Sequence, residues 1–211
     1  IFMVDPPLKL GSEETDESGK LVKLLESWGV KFQKNLILDT SGVGQLFGLS
    51  EVVPLVSDYD NHPIVREMRG VATAFPVARA LEIKSADRTT VEKLFSTSDS
   101  SYATTNLSSG EIRLNPDKDE KGPFALGAAG TYNTGQEGRQ GRFVAVGSSG
   151  WAANNILRFN GNRDLFMNAM NWLSSDEDLI SIRPKEPEDR RLTLSRGQMS
   201  RIFYSSVIGL P

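Results

Sequence analysis

The segment from Arg142 to Leu173 constrains the fold of this chain more than any other. It opens with an apolar run (RFVAV), passes through the loop Gly147-Ser148-Ser149-Gly150, and shows helical periodicity over 162–173. This order predicts a strand, an exit turn and a helix, with Asn162 as the helix N-cap. The same arrangement cradles phosphates in nucleotide-binding proteins and carries the nucleophilic serine in many hydrolases.

The spacing of the loop departs from three known templates: the Walker-type cradle, the dinucleotide fingerprint and the nucleophile elbow. A Walker-type cradle ends in Lys-Ser/Thr, whereas Trp151-Ala152 follows the glycines here. A dinucleotide fingerprint needs three glycines that open a helix directly. A nucleophile elbow needs glycine two residues after the serine, and Ser149 has Trp151 there. The loop is therefore predicted to be a strand-exit turn, at the edge where open α/β sheets bind ligands.

Short apolar strands and one further helix are predicted elsewhere. Apolar residues recur at i, i+3, i+4 and i+7 over 18–28, which predicts an amphipathic helix that ends at Gly29. Extended segments are predicted at 1–5, 36–40, 70–83, 122–132 and 142–146, with 52–65 as a strand that runs into a turn and 89–98 as a strand or a short helix. Residues 99–122 are polar and predicted to be mobile. The interleaving favours a layered α/β fold with an at least partly parallel sheet.

Composition narrows the classes of protein. The chain has 211 residues, a net charge of −3 and no cysteine. The charge makes nucleic acid a poor partner, and the absence of cysteine excludes disulfides and a thiolate nucleophile. No apolar run is long enough to cross a membrane. Both ends are apolar and abrupt, which predicts a piece excised from a longer protein.

Two regions are expected. Residues 1–175 carry the strand and helix patterns of an α/β domain. Residues 176–211 form a charged, proline-punctuated arm of mixed sign, followed by helical spacing at Met199, Ile202, Phe203 and Val207. The arm is predicted to lead towards an apolar environment.

Four carboxylates and the single histidine are the remaining candidates for chemistry. Asp58, Asp60 and His62 alternate, so an extended backbone would place them on one side as weak candidate metal ligands, although the same residues suit an ordinary turn. Any Ser-His-Asp triad would have to use His62. Asp5 and Asp39 each end an apolar strand, where carboxylates act as acid/base pairs or cap the next turn.

Several stretches together resemble the GldG-like auxiliary components of ABC transporters, the gliding-motility-associated substrate-binding protein family. They are FMVDPP, LVKLLESWGVKF with LILDTS, VSDYDNHPIV, GRFVAVGSSGWAANN and, most specific, the segment 161–194. The resemblance covers nearly the whole chain. One departure is in the exit turn, where the family often has Gly-Asp-Ser-Asp-Phe and this chain has Gly147-Ser148-Ser149-Gly150-Trp151.

The resemblance implies a fold and a location. The fold would be a layered, mostly parallel sheet of the flavodoxin-like or class I glutamine amidotransferase-like type, lacking its first strands in this piece. The domain would be extracytoplasmic and anchored in a bacterial inner or plasma membrane by segments outside the piece. Relatives, including one in intraflagellar transport, are implied to bind glycans or proteins. The amidotransferase cysteine is absent here.

The expected function is therefore non-catalytic, without a cofactor. The domain would bind a ligand, with carbohydrate as one candidate, or the permease and ATPase subunits of a transporter. The ligand contacts expected at the strand ends are Asp5, Ser148, Ser149, Trp151 and Asn154, with Trp151 stacking on a sugar. The alternatives are a serine hydrolase that uses Ser149 and His62, and a purely structural scaffold.

Overall fold

The computed structural model describes residues 1–10, 13–14, 19–107, 114–115, 117–135 and 140–174. Within these ranges the strands are β1 (Phe2–Met3), β2 (Lys9–Leu10), β3 (Glu13–Glu14), β4 (Val30–Phe32), β5 (Leu36–Asp39), β6 (Leu55–Val56), β7 (Asp58–Tyr59), β8 (Thr73–Ala74), β9 (Leu81–Ile83), β10 (Thr89–Ser96), β11 (Ser101–Thr104), β12 (Glu120–Lys121), β13 (Ala125–Asn133) and β14 (Gln140–Val146). The helices are α1 (Gly19–Ser27), α2 (Val43–Leu46) and α3 (Asn162–Leu173), with 3-10 turns at Arg66–Met68 and Gly150–Ala152.

The largest sheet has the strand order β1-β14-β13-β10-β7, and β9 and β4 extend it from β13. Its long strands β10, β13 and β14 pair antiparallel, while β1 runs parallel to β14. A second sheet of the described strands joins β5 to β11 and β12. The result is a mostly β fold around a curled, mixed sheet with few helices.

The prediction of a layered, mostly parallel flavodoxin-like sheet is wrong. Parallel neighbours need a crossover of a dozen or more residues, usually a helix. Only residues 134–139 separate β13 from β14, and that connection is too short for a crossover. Between β5 and β14, the described residues contain only the short α2 and one 3-10 turn as helical structure. The strands of that region therefore pair without the helices that a flavodoxin-like fold requires.

Both faces of the central sheet are buried at β14. Along β14, Phe143 and Ala145 join the core cluster beneath α1, whereas Val144 and Val146 join the cluster beneath α3. Successive side chains of a strand point to opposite faces, so a strand between two helices reads as a continuous apolar run. This burial explains why the segment 142–146 is identifiable as a strand from its sequence.

The two predicted helices are confirmed, with local differences. Helix α1 ends before Gly29, whose φ of +91° suits glycine, but Leu24 of the predicted apolar face is exposed. Helix α3 has Gly161 as its N-cap. Asn162 lies one position later, and its buried side chain bonds the backbone N–H and C=O of Ala74, each at 2.8 Å. The predicted N-cap therefore ties the helix to β8.

Most predicted strands are confirmed, and one omission is corrected. The segment 89–98, predicted as a strand or a short helix, contains β10 (Thr89–Ser96), and the segment 1–5 contains β1. The segment 99–122, predicted to be mobile, contains β11, which pairs with β5 through Tyr102 opposite Leu38. The arm at 176–211 lies outside the described residues. In the part of the chain that the structure describes, no helix is long and apolar enough to cross a membrane.

Candidate functional site

The parallel pairing of β1 and β14 brings two predicted site residues together. Phe2 lies opposite Ala145, and the N–H of Val4 donates to the carbonyl of Val146 at 3.1 Å. Both strands therefore end at the same edge of the sheet. There, Oδ1 of Asp5 accepts the backbone N–H of Ser149 at 2.6 Å, and Oδ2 accepts its hydroxyl at 2.5 Å. The carboxylate thus holds the exit turn at two points.

Gly147 and Ser148 in the same turn pack into the protein. The buried Ser148 donates its hydroxyl to the carbonyl of Pro76 at 2.5 Å. The carbonyl of Gly147 accepts the N–H of Arg79 at 2.7 Å, and a Cβ on Gly147 would collide with the backbone oxygen of Arg79. Glycine is needed at 147 because two backbones approach closely there. Through these contacts the turn packs tightly against the segment 76–79.

Arg79 is a buried residue at this edge that the sequence reasoning missed. Its Nε donates to the carbonyl of Gln33 at 2.6 Å, Nη1 to that of Asp5 at 3.1 Å and Nη2 to that of Phe32 at 3.3 Å. The guanidinium also lies 5.6 Å from the ring centroid of Phe32. Arg79 therefore links the ends of β1 and β4 to the β14 exit turn. The sequence signal that could have identified Arg79 is its position as a charged residue inside the apolar run VARAL.

Trp151 lies in the core and not at the surface. Its side chain is 1% exposed and packs on Phe75 and Phe166, with ring centroids 6.0 and 5.9 Å away. Its buried Nε1 has no hydrogen-bond partner. In this conformation the indole cannot stack on a sugar, so the expected carbohydrate contact is absent from this position.

Asn154 lies in an open cleft of about 620 Å³. The cleft is lined by Asn154, Asn155, Leu157, Arg158 and Arg163. Its lining therefore combines two carboxamides, two guanidinium groups and one leucine, without a carboxylate. We call these five residues the arginine cleft. Its chemistry suits an anionic group, because guanidinium groups bind carboxylates through paired hydrogen bonds.

The weak metal candidates do not converge. Asp58 is exposed on β7, and Asp60 lies 3.4 Å from the ammonium of Lys93. His62 is buried. Among the described residues, no three His, Asp or Glu side chains come close enough together to hold a metal ion.

His62 has a structural environment. Its Nδ1 accepts the backbone N–H of Ile64 at 3.2 Å, and its ring packs edge-on against Trp172 at 5.1 Å between centroids. Burial lowers the pKa of His62; Glu92 opposes this shift and Arg142 adds to it. The imidazole is therefore neutral at pH 7, with Nδ1 engaged as an acceptor.

Asp39 closes the base of a surface loop. Its Oδ1 accepts the N–H of Ser41 at 3.0 Å, and its Oδ2 accepts the N–H of Leu55 at 3.2 Å. These two donors lie at opposite ends of the segment 40–54. The carboxylate thus acts as a clasp that makes this segment a compact loop.

The loop displays three apolar side chains. Val43, Leu46 and Phe47 are 47%, 84% and 54% exposed. Val43 and Leu46 lie on α2 and Phe47 is its C-cap, between Gly42 and Gly48, which both have a φ of +73°. We call these three residues the apolar knob. The ring of Phe47 contacts the ring of Phe159 edge-on, with 5.7 Å between the centroids. Phe159 directly follows Arg158 of the arginine cleft in the sequence.

Comparison with known proteins informs the fold. No protein-family profile matches the sequence, and no curated protein matches it. A solved structure described as "mmIFT52 N-terminal domain" is similar, with a TM-score of 0.56 and 16% identity over 82% of this chain. The match spans 63% of that chain. At this identity the likeness shows a shared fold alone, and the resemblance to GldG-like components stays a prediction.

Proposed function

We propose that this chain is a non-catalytic binding domain. Following the sequence resemblance, we assign it to an auxiliary component of an ABC transporter, in which an extracytoplasmic domain contacts a permease or ATPase-linked subunit. The observation that carries the binding role is the apolar knob, because Leu46 leaves 84% of its surface in water. Exposed apolar groups that cluster on a soluble surface are typical of protein contact sites.

The polar groups of the strand-end turn support a non-catalytic role. The hydroxyl of Ser149 donates to Asp5, and that of Ser148 donates to a backbone carbonyl. In the hydrolase alternative, the nucleophilic serine needs the imidazole of His62 within hydrogen-bond reach as its base. Here the Nδ1 of His62 accepts a backbone N–H beside Trp172. These groups stabilise the fold in this conformation.

The hydrolase alternative has a direct test. A serine-reactive phosphonate would label Ser148 or Ser149, and His62→Ala would abolish the labelling while the thermal unfolding transition persists. Labelling with that dependence would replace the binding role by catalysis. We expect no covalent adduct by mass spectrometry.

The transporter role is tested with the full-length protein in its own membranes. We expect an affinity-tagged copy, solubilised in mild detergent, to purify with a permease and an ATPase. A copy that purifies without any ABC subunit would contradict the assignment. A thermal-shift panel of neutral and acidic oligosaccharides tests the ligand alternative, in which a sugar raises the unfolding temperature. If no sugar raises the unfolding temperature, the remaining alternatives are a structural scaffold and a protein-contact role.

A further inference from the structure

We propose that the apolar knob and the arginine cleft form one docking surface. Its occupant would be a segment of a partner protein that carries an apolar side chain flanked by carboxylates. This inference rests on the proposed binding function and names the place and the chemistry of the contact. Of the ligand contacts expected from the sequence, this surface includes Asn154 alone.

The contact between Phe47 and Phe159 joins the two parts of the surface. Phe47 belongs to the knob, and its ring lies edge-on to Phe159 at 5.7 Å. Phe159 directly follows Arg158, which lines the cleft with Arg163. The aromatic pair therefore forms a bridge between an apolar surface and a cationic one. Aromatic and arginine side chains are both enriched in protein interfaces.

The charged residues that line the cleft determine which partner chemistry the surface favours. The segment 154–164 holds two arginines and one acid, Asp164, which interacts electrostatically with Arg163 but does not line the cleft. Loop residues 40–54 contribute a single acid, Glu51. The charges of these two segments balance, so the attraction for carboxylates is local to the cleft, where Arg158 and Arg163 are the charged lining residues. Guanidinium groups also match carboxylates geometrically.

The loop is held in the conformation that displays the knob. Besides the Asp39 clasp, the carbonyl of Gly44 accepts the N–H groups of Phe47 and Leu49 at 3.0 and 2.9 Å. A loop ordered before binding loses less conformational entropy when the partner arrives. Leu46 can therefore serve as a preformed apolar anchor.

Site-specific photocrosslinking in the full-length protein tests this surface. A benzoylphenylalanine at position 46 is irradiated in native membranes, and the crosslinked peptide is sequenced by mass spectrometry. The same reporter at Leu24, an exposed leucine on α1, is the matched control. We expect position 46 to capture a protein peptide with Asp or Glu within a few residues of an apolar side chain, at a yield at least tenfold above position 24.

Charge reversal then tests the arginines. We expect Arg158→Glu combined with Arg163→Glu to reduce the yield at position 46 at least fivefold, and Lys23→Glu on α1 to leave it unchanged. Reversal of the identified partner carboxylates to lysine should restore it. A captured peptide without acids, or a yield that is indifferent to the arginines, overturns the proposal.

The outcomes separate this proposal from the proposed function. Capture at position 24 and not at 46 shows that a partner exists and that the surface is misplaced. Capture of an acidic segment from a protein that is not a transporter subunit keeps the surface and removes the transporter role. Capture at neither position, together with the absence of any co-purified subunit, overturns both. Capture of lipid alone at position 46 also overturns the surface.

Discussion

The carboxylate of Asp5 binds both the backbone N–H and the hydroxyl of Ser149, residues that lie 144 positions apart in sequence. The two residues follow β1 and β14, the one described pair of neighbouring strands that runs parallel in the main sheet. The bonds fasten a two-residue edge strand to the centre of the fold. Asp5 and Ser149, which the sequence predicted as ligand contacts, therefore stabilise the edge of the sheet.

We expect Asp5→Ala to lower the free energy of unfolding by about 1–2 kcal/mol, because two hydrogen bonds to a carboxylate are lost. Exposure of the pair to solvent keeps the loss at the lower end of that range. Ser149→Ala should cost less, since its backbone bond persists. Urea unfolding of both single variants and the double variant gives the coupling energy. Strictly additive losses would mean that the two side chains do not interact in solution.

Gly147→Ala should be more destabilising than its small size suggests. The added methyl group would meet the backbone oxygen of Arg79, which cannot rotate away as a side-chain end could. We expect a loss of about 1–3 kcal/mol, the usual range for overpacking. Gly19→Ala is the matched control, because its Cβ would have no atom within 4 Å. Equal unfolding midpoints for the two variants would refute this close backbone approach.

Local patterns predicted the elements better than their arrangement. The spacing of Leu21, Leu24, Leu25 and Trp28 identified α1, although Leu24 is exposed. The burial of β14 on both faces made its apolar run recognisable as a strand. Strand direction failed because apolar runs carry no direction of their own. The length of the connection between β13 and β14 did carry that information, since its six residues cannot span a parallel crossover.

Prediction of the site was limited by side-chain burial. The proximity of Asp5 and Ser149 follows from strand ends that share an edge, which the sequence could indicate. The burial of Trp151 could not be read from its position after a glycine-rich turn, because the packing partner Phe75 lies far away in sequence. The apolar knob was overlooked because the five residues between Gly42 and Gly48, three of them apolar, make too short a helical pattern.

The stability of the fold should rise with pH through the range in which His62 titrates. Burial lowers the pKa of His62 in the folded state below its ordinary value of 6.5. Between the folded and unfolded pKa values, the unfolded chain binds the proton and the folded chain does not. Stability is therefore full above about pH 6.5 and falls as the pH drops below it.

The variant His62→Asn isolates this effect. Asparagine offers an oxygen to the N–H of Ile64 but has no proton to gain in this range. His62 is the chain's single histidine, so the slope of unfolding free energy between pH 7.5 and 5.5 should flatten in the variant. An unchanged slope would mean that other groups, such as carboxylates, produce the pH dependence. Urea titrations at five pH values are sufficient.

Trp151 should behave as a core residue. We expect Trp151→Ala to cost about 3–5 kcal/mol, the range for removal of a large buried aromatic side chain. Trp151→Phe should cost less, because it retains an aromatic ring beside Phe75 and removes an Nε1 that has no partner. In a variant with Trp28 and Trp172 replaced by phenylalanine, acrylamide should quench the remaining fluorescence poorly. Efficient quenching would place the indole at the surface, where it could stack on a ligand.

Asp39→Asn connects loop structure to binding. Asparagine keeps one oxygen that can accept a hydrogen bond. Its NH2 group replaces the second carboxylate oxygen, so one of the two backbone N–H groups loses its acceptor. We expect a loss of about 1–3 kcal/mol from one unsatisfied donor near the core, and a loosened base for the segment 40–54. Because the knob is then no longer held in one conformation, crosslinking from position 46 should fall even at temperatures where the sheet remains folded.

The exposed variant Leu46→Asp provides the comparison for Asp39→Asn. It removes the apolar anchor and leaves the hydrogen bonds of Asp39 intact. The free energy of unfolding should therefore change by less than about 0.5 kcal/mol, as is usual at exposed positions. Co-purification of the partner should nevertheless be lost. If Asp39→Asn destabilises the protein while crosslinking from position 46 and partner recovery stay at wild-type levels, the clasp serves the fold only. If Leu46→Asp also retains the partner, the knob is not the anchor.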